Sequence, residues 1–187
     1  FYDDEIESMG GHVYKLSFRE DLNLPKFQKD LKNFFKQHHE YQIVHCHAYT
    51  IGYFCLKAAK KAGIPVRIAH SHNNETVHDI KYLPKLFMQR LFTLNATDLF
   101  ACSEEAGKYV FKDKPFRVLK NAIDSQQFIA NENTRREVRQ ELGLENKFVV
   151  GHVGRLHPQK NHDFLIDVFA EIKKKQPDAE LILVGTG

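Results

Sequence analysis

The sequence predicts an α/β protein whose strands lie in parallel sheets, and three features of the chain support this. Short apolar runs rich in β-branched residues alternate with longer segments whose apolar residues recur at helical spacing. Alternation of strand and helix favours parallel pairing, because each helix returns the chain to the starting edge of the sheet. Several runs end in glycine or polar residues, which places candidate binding groups at the carboxyl ends of the strands, where open parallel sheets bind ligands.

Composition fits an ordinary globular protein of somewhat more than one domain. The 187 residues are 42% hydrophobic, and 27 basic against 24 acidic side chains give a net charge of +3, too small to predict nucleic-acid binding. Three cysteines, an odd number without metal-ligand spacing, are typical of a reducing compartment, so we expect a cytoplasmic protein. No apolar run is long enough to predict a membrane span. The chain starts at Phe1 and stops after a glycine-terminated strand, so we also expect a fragment, cut at both ends.

The first half of the chain opens with four predicted elements. Glycines followed by an alternating pattern at Gly10–Leu16 predict a turn and a short strand. Lys26–His39 places its aromatic and apolar residues on one helical face, which predicts an amphipathic helix whose aromatics belong to the core. A buried strand at Gln42–His47 and a helix from Ile51 to Gly63 follow.

Two pairs of histidines stand at the ends of neighbouring predicted strands. His45 and His47 end the buried strand just described, and His70 and His72 follow the next strand, Ile64–Ala69. Because parallel strands end at the same edge of a sheet, we expect these imidazoles at a binding edge. A neutral imidazole can hydrogen-bond a sugar hydroxyl, and an imidazolium can offset phosphate charge.

The rest of the first half again alternates helix and strand. The segment His72–Pro84 has no clear period and predicts a loop that closes over a substrate, and a helix begins near Leu83. Ser103 is a residue type that caps helices. The remaining predicted ranges are a strand at Asp98–Cys102, a helix at Glu104–Phe111 and a strand at Phe116–Leu119.

A change of composition predicts a boundary between two domains. Residues 125–133 are mostly polar, and Thr134 with Glu137 three residues later predicts a capping box that opens a short helix ending at Gly143. We therefore expect a first domain at residues 1–124, a linker and capping helix at 125–147, and the start of a second domain at 148–187.

The second domain opens with a pattern suited to binding an anion. A buried strand over residues 149–153 stops at Gly154, the cations Arg155 and Lys160 follow, and Asn161 is placed to cap the next helix. Helix amino termini present unpaired N–H groups and a partial positive charge, and the two cations add full charges suited to phosphate oxygens.

This motif, with the helix and strand after it, resembles a known family. Gly154-Arg155-Leu156, Lys160-Asn161, a helix over residues 163–175, and then a strand at Leu181–Val184 that ends in Gly185-Thr186-Gly187 form a βαβ unit. This sequence pattern is similar to the start of the nucleotide-sugar-binding domain of glycosyltransferase family 4, which has the GT-B fold. The resemblance implies two Rossmann-like, doubly wound parallel-sheet domains. The first is an acceptor-side domain that lacks its first strands, and the second is only partly present.

The resemblance also implies a function. Family members move a hexose from a nucleotide sugar, in this case a UDP- or GDP-sugar, to an acceptor hydroxyl with retention of configuration. Residues matching Arg155 and Lys160 contact the donor diphosphate, and a strand-end histidine near the donor sugar matches His72, or His70 if the register shifts. No metal and no other cofactor is implied. The expected setting is capsule, exopolysaccharide or glycolipid synthesis, with a sugar or lipid-linked acceptor and peripheral contact at the inner face of the cell membrane.

Five further residues are candidates for lining the cleft: His47, Ser103, Asn121, Gly185 and Gly187. The sequence departs from the family at Ala122, where the family usually has glycine before its apolar-Asp pair. Two glutamates that hold donor sugar and ribose in the family come after the Gly-x-Gly strand, beyond Gly187. The fragment alone is therefore expected to be inactive.

Two alternative functions remain open from the sequence. His45, His47, His70 and His72, with His78 and Asp79, are residue types that assemble the site of a metal-dependent hydrolase. A non-catalytic module that binds a nucleotide sugar fits the same motifs without turnover. Measuring the metal content of the protein distinguishes the hydrolase from a glycosyltransferase. Measuring turnover distinguishes the non-catalytic module from a glycosyltransferase.

Overall fold

A computed structural model describes residues 2–16, 18, 22–73 and 82–187 of the chain. The chain forms two compact units, Phe1–Ala122 and Ile123–Gly187, and each is described by itself. Among the described residues, no helix is both long and apolar enough to cross a membrane.

The first unit contains a four-stranded parallel sheet in which each strand pairs with the next strand along the chain. The parallel α/β arrangement predicted from the sequence is confirmed, and the limits of the correctly predicted elements lie within two residues of the prediction. The elements are α1 Asp3–Ser8, α2 Leu24–Gln37, β1 Ile43–Cys46, α3 Tyr49–Lys61, β2 Val66–Ser71, α4 Tyr82–Phe92, β3 Asp98–Ala101, α5 Glu104–Phe111 and β4 Arg117–Val118.

Strand order in this sheet follows chain order, so the chain winds in one direction only. Crossovers of one hand then place every connecting helix on the same face. The core agrees, because Cys46, Ala69 and Ala101 on that face are buried against Leu56 of α3 and Phe92 of α4.

Helix α2 packs on α3 through the face that the sequence predicted. Phe27, Leu31 and Phe35, spaced four residues apart, are each 5% exposed and pack with Ala59 and Ile64. Asn23 begins the helix, since its side chain accepts a hydrogen bond from the Lys26 amide at 2.9 Å.

The predicted strand after Gly10 was wrong. Gly10 does turn the chain, with a φ of 84°, but residues 11–16 join no strand in the described part of the chain. An alternating pattern becomes a strand only where a partner supplies backbone hydrogen bonds. The Tyr14 side chain instead packs on α2, with ring centroids 5.0 Å from Phe34 and 4.6 Å from His38. The short helix α1 was not predicted.

The second unit contains the predicted βαβ arrangement, and its two strands pair in parallel. The predicted capping box at Thr134 and Glu137 was wrong, because Asn131 caps the helix and accepts from the amides of Asn133 and Thr134. Gly143 ends this helix at a φ of 66°, as predicted. The elements are α6 Glu132–Glu141, β5 Phe148–Val153, α7 His162–Lys175 and β6 Ala179–Val184.

Candidate functional site

In the first unit, the four predicted histidines gather at the carboxyl edge of the sheet. Register pairs His45 of β1 with Ile68 of β2, and His70 of β2 with Phe100 of β3. Because side chains alternate between faces along a strand, His45, His47, His70 and His72 all project from the face opposite the helices. Two His-x-His sequences on adjacent parallel strands thus meet on one face.

The imidazoles are in direct contact. His45 Nε2 lies 2.9 Å from His70 Nδ1, and His47 Nδ1 lies 2.7 Å from His72 Nε2, both hydrogen-bond distances. The rings of His70 and His72 stack at 4.2 Å between centroids, and those of His45 and His70 are nearly parallel at 5.1 Å. One connected stack therefore contains all four rings, which we call the histidine cluster.

Burial is uneven across the histidine cluster and affects its protonation. His70 is 3% exposed, whereas His45, His47 and His72 are exposed to solvent. Desolvation, together with the neighbouring imidazoles of His72, His47 and His45, lowers the pKa of His70 to about 4. Desolvation and neighbouring rings also lower the pKa values of His45 and His47. These three rings are therefore neutral at pH 7, each with one donor and one acceptor nitrogen.

Helix α5 fixes the strand end that carries His70 and His72. Ser71 is fully buried and donates to the Ala106 carbonyl at 2.9 Å. Ser103 caps α5, accepting from the Ala106 amide at 3.2 Å, as the sequence predicted. The Ser103 hydroxyl therefore has a structural partner within its own helix.

Three predictions around the histidine cluster differ in outcome. His78 and Asp79, with most of the predicted closing loop, lie outside the described residues. Asn121 is exposed beyond β4. Ala122 is not among the non-glycine residues with positive φ in the described chain, so alanine carries no backbone strain where the family usually has glycine.

In the second unit, the loop after β5 runs beside the end of β6. The Gly154 amide donates to the Val184 carbonyl at 2.9 Å, and the Leu156 amide donates to the Thr186 carbonyl at 3.0 Å. These bonds continue the pairing of the two segments beyond both strands, and Arg155 lies between the two bonded residues. We call these two segments, residues 154–161 and 185–187, the glycine crossing.

The glycine crossing requires the absence of side chains at two positions. A Cβ on Gly185 would lie 1.9 Å from the Gly154 carbonyl oxygen, and one on Gly187 would lie 2.5 Å from the Leu156 carbonyl oxygen. Both obstacles are backbone atoms that cannot rotate away. The Gly-x-Gly sequence is thus explained by close backbone approach, which the sequence alone did not reveal.

Arg155 and Lys160 are both exposed; Lys160 is the last residue of a single 3₁₀ turn, Pro158–Lys160, and Arg155 lies shortly before that turn. Asn161 stands at the N-cap of α7 in the left-handed conformation, with φ 49° and ψ 53°, and its side chain makes no capping bond. The predicted side-chain cap was therefore wrong. Among the described residues, no side chain accepts a hydrogen bond from the first amides of α7, which leaves them open to an anion beside the two cations.

A second pair of histidines was missed by the sequence interpretation. The His152 ring of β5 and the His162 ring at the start of α7 meet edge to face, with centroids 5.0 Å apart. Each has a buried Nε2 without a hydrogen-bond partner among the described residues. Position was the available signal, since both residues flank the motif at 154–161.

Two family models match the chain. Glycosyltransferase Family 4 matches residues 4–127, about two thirds of the chain, and Glycosyl transferases group 1 matches residues 134–187. The gap between the two matches, residues 128–133, lies within the mostly polar segment at 125–133.

Curated relatives agree with the family models. A protein named as a glycosyltransferase, EpsF of Bacillus subtilis, is 33% identical over 100% of this chain and 51% of its own length. A UDP-Gal:α-D-GlcNAc-diphosphoundecaprenol α-1,3-galactosyltransferase of Escherichia coli is 30% identical over 89% of this chain and 46% of its own length. The chain thus spans about half the length of these relatives.

A solved structure shares the fold. Alr3699/HepE of Anabaena, crystallised with UDP and glucose, superposes with a TM-score of 0.78 at 22% identity, over 100% of this chain and 51% of its own. Another crystal of the same protein contains UDP-glucose. Both units therefore have the Rossmann-like organisation that the sequence predicted, and the chain belongs to glycosyltransferase family 4.

Proposed function

We propose that the protein containing this chain transfers a hexose from a nucleotide sugar to an acceptor hydroxyl. The observation that carries the proposal is the glycine crossing, which presents Arg155 and Lys160 beside the uncapped amino terminus of α7. A leaving nucleoside diphosphate gains negative charge in the transition state, and cations with oriented amides stabilise such charge. This electrostatic arrangement requires no metal and no cofactor.

The histidine cluster supplies the proposed sugar-side groups. His72 is exposed and can donate to, or accept from, a donor hydroxyl near the reacting carbon. His70, buried beneath it, orients the stack through its contact with His45. Retention of configuration is proposed from family membership, with donor phosphate assisting deprotonation of the acceptor.

Donor chemistry is proposed from the relatives. HepE crystals contain UDP or UDP-glucose, and the Escherichia coli relative is named for UDP-Gal. A Mycolicibacterium smegmatis relative, 24% identical over 69% of this chain, is named for GDP-mannose. A uridine donor is therefore our first choice and a GDP-sugar the second, with a sugar or lipid-linked acceptor in polysaccharide or glycolipid synthesis.

The test is calorimetric binding of UDP-glucose, UDP-galactose and GDP-mannose to the whole protein. Arg155→Ala and Lys160→Ala each remove one charge from the diphosphate site, so each should weaken donor binding about ten-fold or more, as expected for a lost charge-assisted hydrogen bond. Arg136→Ala on α6 and Lys175→Ala at the far end of α7 are matched controls that remove the same charges elsewhere, and should leave affinity unchanged.

Two results would contradict this proposal. Equal losses in the variants and their controls would mean that the cations act only through net charge. Tight binding without any transfer to acceptors by the whole protein would favour the non-catalytic binding module.

The metal-dependent hydrolase has less support. Hydrolytic metal sites commonly combine histidines with a carboxylate that acts as ligand or base. In the described part of the chain, the cluster with metal-ligand distances contains histidines only.

Peripheral membrane contact is proposed for a groove between α2 and α3. Its walls carry five lysines, and Phe35, Phe54 and Ala58 are among its apolar lining residues. Lysines beside an apolar surface attract anionic lipid headgroups, by about 1 kcal/mol for each lysine near the membrane. The lysines are Lys29, Lys32, Lys36, Lys57 and Lys61.

Vesicle sedimentation tests this contact. Lys32→Glu with Lys57→Glu should abolish most binding to vesicles rich in phosphatidylglycerol, because each reversal replaces attraction with repulsion. Lys112→Glu with Lys120→Glu makes the same charge change outside the groove and should bind nearly as the parent does. Equal binding by both double variants would place the contact elsewhere.

A further inference from the structure

We propose that the histidine cluster is a binding site for one divalent transition-metal ion, with His45, His47 and His70 as ligands. One nitrogen from each of these three residues lies within 4.8 Å of the others. The inference rests on the geometry of the first unit alone, and it does not depend on the proposed glycosyl transfer.

The spacing of the histidines along the two strands brings their side chains together on one face of the sheet. Residues two apart on a strand project from the same face, so His45 and His47 form one pair of ligands and His70 stands opposite on the neighbouring strand. Strands hold their side chains more rigidly than loops do, and ligands on two hydrogen-bonded strands are separated by a fixed distance. The sheet therefore places His45 and His70 before any ion arrives, and His47 follows one residue beyond the end of β1.

The distances suit a tetrahedral ion after a small movement. Nitrogens at 2.0–2.1 Å from a tetrahedral zinc ion lie about 3.4 Å apart. In the cluster, the His45–His70 nitrogens are 2.9 Å apart. Rotation of the exposed His45 and His47 side chains can bring this distance, and the others within the 4.8 Å limit, to the tetrahedral value while the strands stay in place.

The ligand set selects the class of ion. Imidazole nitrogens favour Zn²⁺, Co²⁺, Ni²⁺ and Cu²⁺, whereas Mg²⁺ and Ca²⁺ require oxygen ligands. No carboxylate belongs to the cluster among the residues that the structure describes. A water molecule completes the fourth position, which leaves His72, not one of the three ligands, for the proposed sugar contact.

Two features of the histidine cluster favour binding of a metal ion: it is accessible from solvent, and it contains a buried nitrogen that lacks a hydrogen-bond partner among the described residues. His45 and His47 are exposed, so an ion can reach the cluster from solvent. Buried His70 hydrogen-bonds His45 through Nδ1 only, and its Nε2 has no partner among the described residues. A metal ion is a stronger partner than another imidazole for either nitrogen of this ring.

The test uses the whole protein, purified without an affinity tag, stripped with chelator and titrated with Zn²⁺ and Co²⁺. We expect one ion per chain, and intense visible absorption from tetrahedral Co²⁺. His45→Ala and His47→Ala should each weaken Zn²⁺ binding by at least about ten-fold. His39→Ala removes an exposed histidine of the same unit outside the cluster and should change nothing.

Several outcomes would overturn the proposal. These are Zn²⁺ affinity no better than millimolar, equal losses in the His39→Ala control, or Mg²⁺ competing with Zn²⁺ at similar concentration. Denaturant unfolding of each apo variant separates loss of ligands from loss of fold, because exposed His45 and His47 should contribute little to stability. The titration contains no sugar nucleotide, so its failure leaves the proposed transfer untouched, and the converse also holds.

Discussion

At the scale of single residues, position 185 requires glycine because a nearby backbone atom leaves no room for a side chain. Its Cβ would lie 1.9 Å from the Gly154 carbonyl oxygen, so Gly185→Ala must push apart the loop after β5 and the end of β6. We expect a loss of about 1–3 kcal/mol in the free energy of unfolding, typical of overpacking, together with weaker donor binding. Denaturant unfolding and calorimetry measure the two effects.

Gly151→Ala is the matched control for this substitution. A Cβ there would meet no atom of the described residues within 4 Å, and Gly151 lies in β5 of the same unit without a positive φ. Its unfolding free energy should change by less than about 0.5 kcal/mol. If Gly151→Ala destabilises as much as Gly185→Ala, loss of glycine itself, and not the close approach, determines the effect.

Sequence reasoning identified the residues at both candidate sites but not why each is needed. Arg155 and Lys160 were recognisable because charge and residue type are visible in the sequence. The contact between His45 and His70 was not, because it depends on strand register, which distant residues determine together. Likewise, the steric need for Gly185 became visible only when the facing loop was placed beside it.

At the scale of elements, helix α6 is capped by a different residue from the one that the sequence predicted. Asn131 accepts hydrogen bonds from two backbone amides, at 2.9 Å and 3.1 Å, whereas Thr134 is already inside the helix. Asn131→Ala should therefore lower the unfolding free energy by about 1 kcal/mol. Thr134→Ala should be neutral or slightly stabilising, because alanine has the higher helix propensity. Thermal unfolding of both variants measures these changes. A larger loss of stability for Thr134→Ala than for Asn131→Ala would support the predicted capping box instead.

The elements that were predicted well have patterns that tertiary packing reinforces. Helix α2 buries the same aromatic face that its period of 3.6 residues indicates, and α5 begins after Ser103 as predicted. The strand at Gly10–Leu16 failed because no partner strand is placed beside it in the described chain. Local pattern was sufficient where one face packs on a core, and insufficient where a distant partner had to be present.

At the scale of the whole molecule, the two units differ in how many apolar residues they bury. In the first, Leu56, Ala69 and Phe92 are completely buried among other apolar residues. In the second, all of whose residues the structure describes, Ala179 is the one buried hydrophobic residue. Burial of apolar surface is the main stabilising contribution to folding, at about 25 cal/mol per Å².

Unequal burial predicts that the 187-residue chain opens unit by unit. Amides of β2, flanked by strands on both sides and covered by α3, should exchange with deuterium only through global unfolding of the first unit. Amides of β5 and β6, which pair only with each other in this chain, should exchange faster. Hydrogen exchange followed by mass spectrometry measures both units in one sample. Equal protection would contradict the prediction, since a pair of strands with a single buried hydrophobic residue would then be as stable as a four-stranded sheet with a packed core.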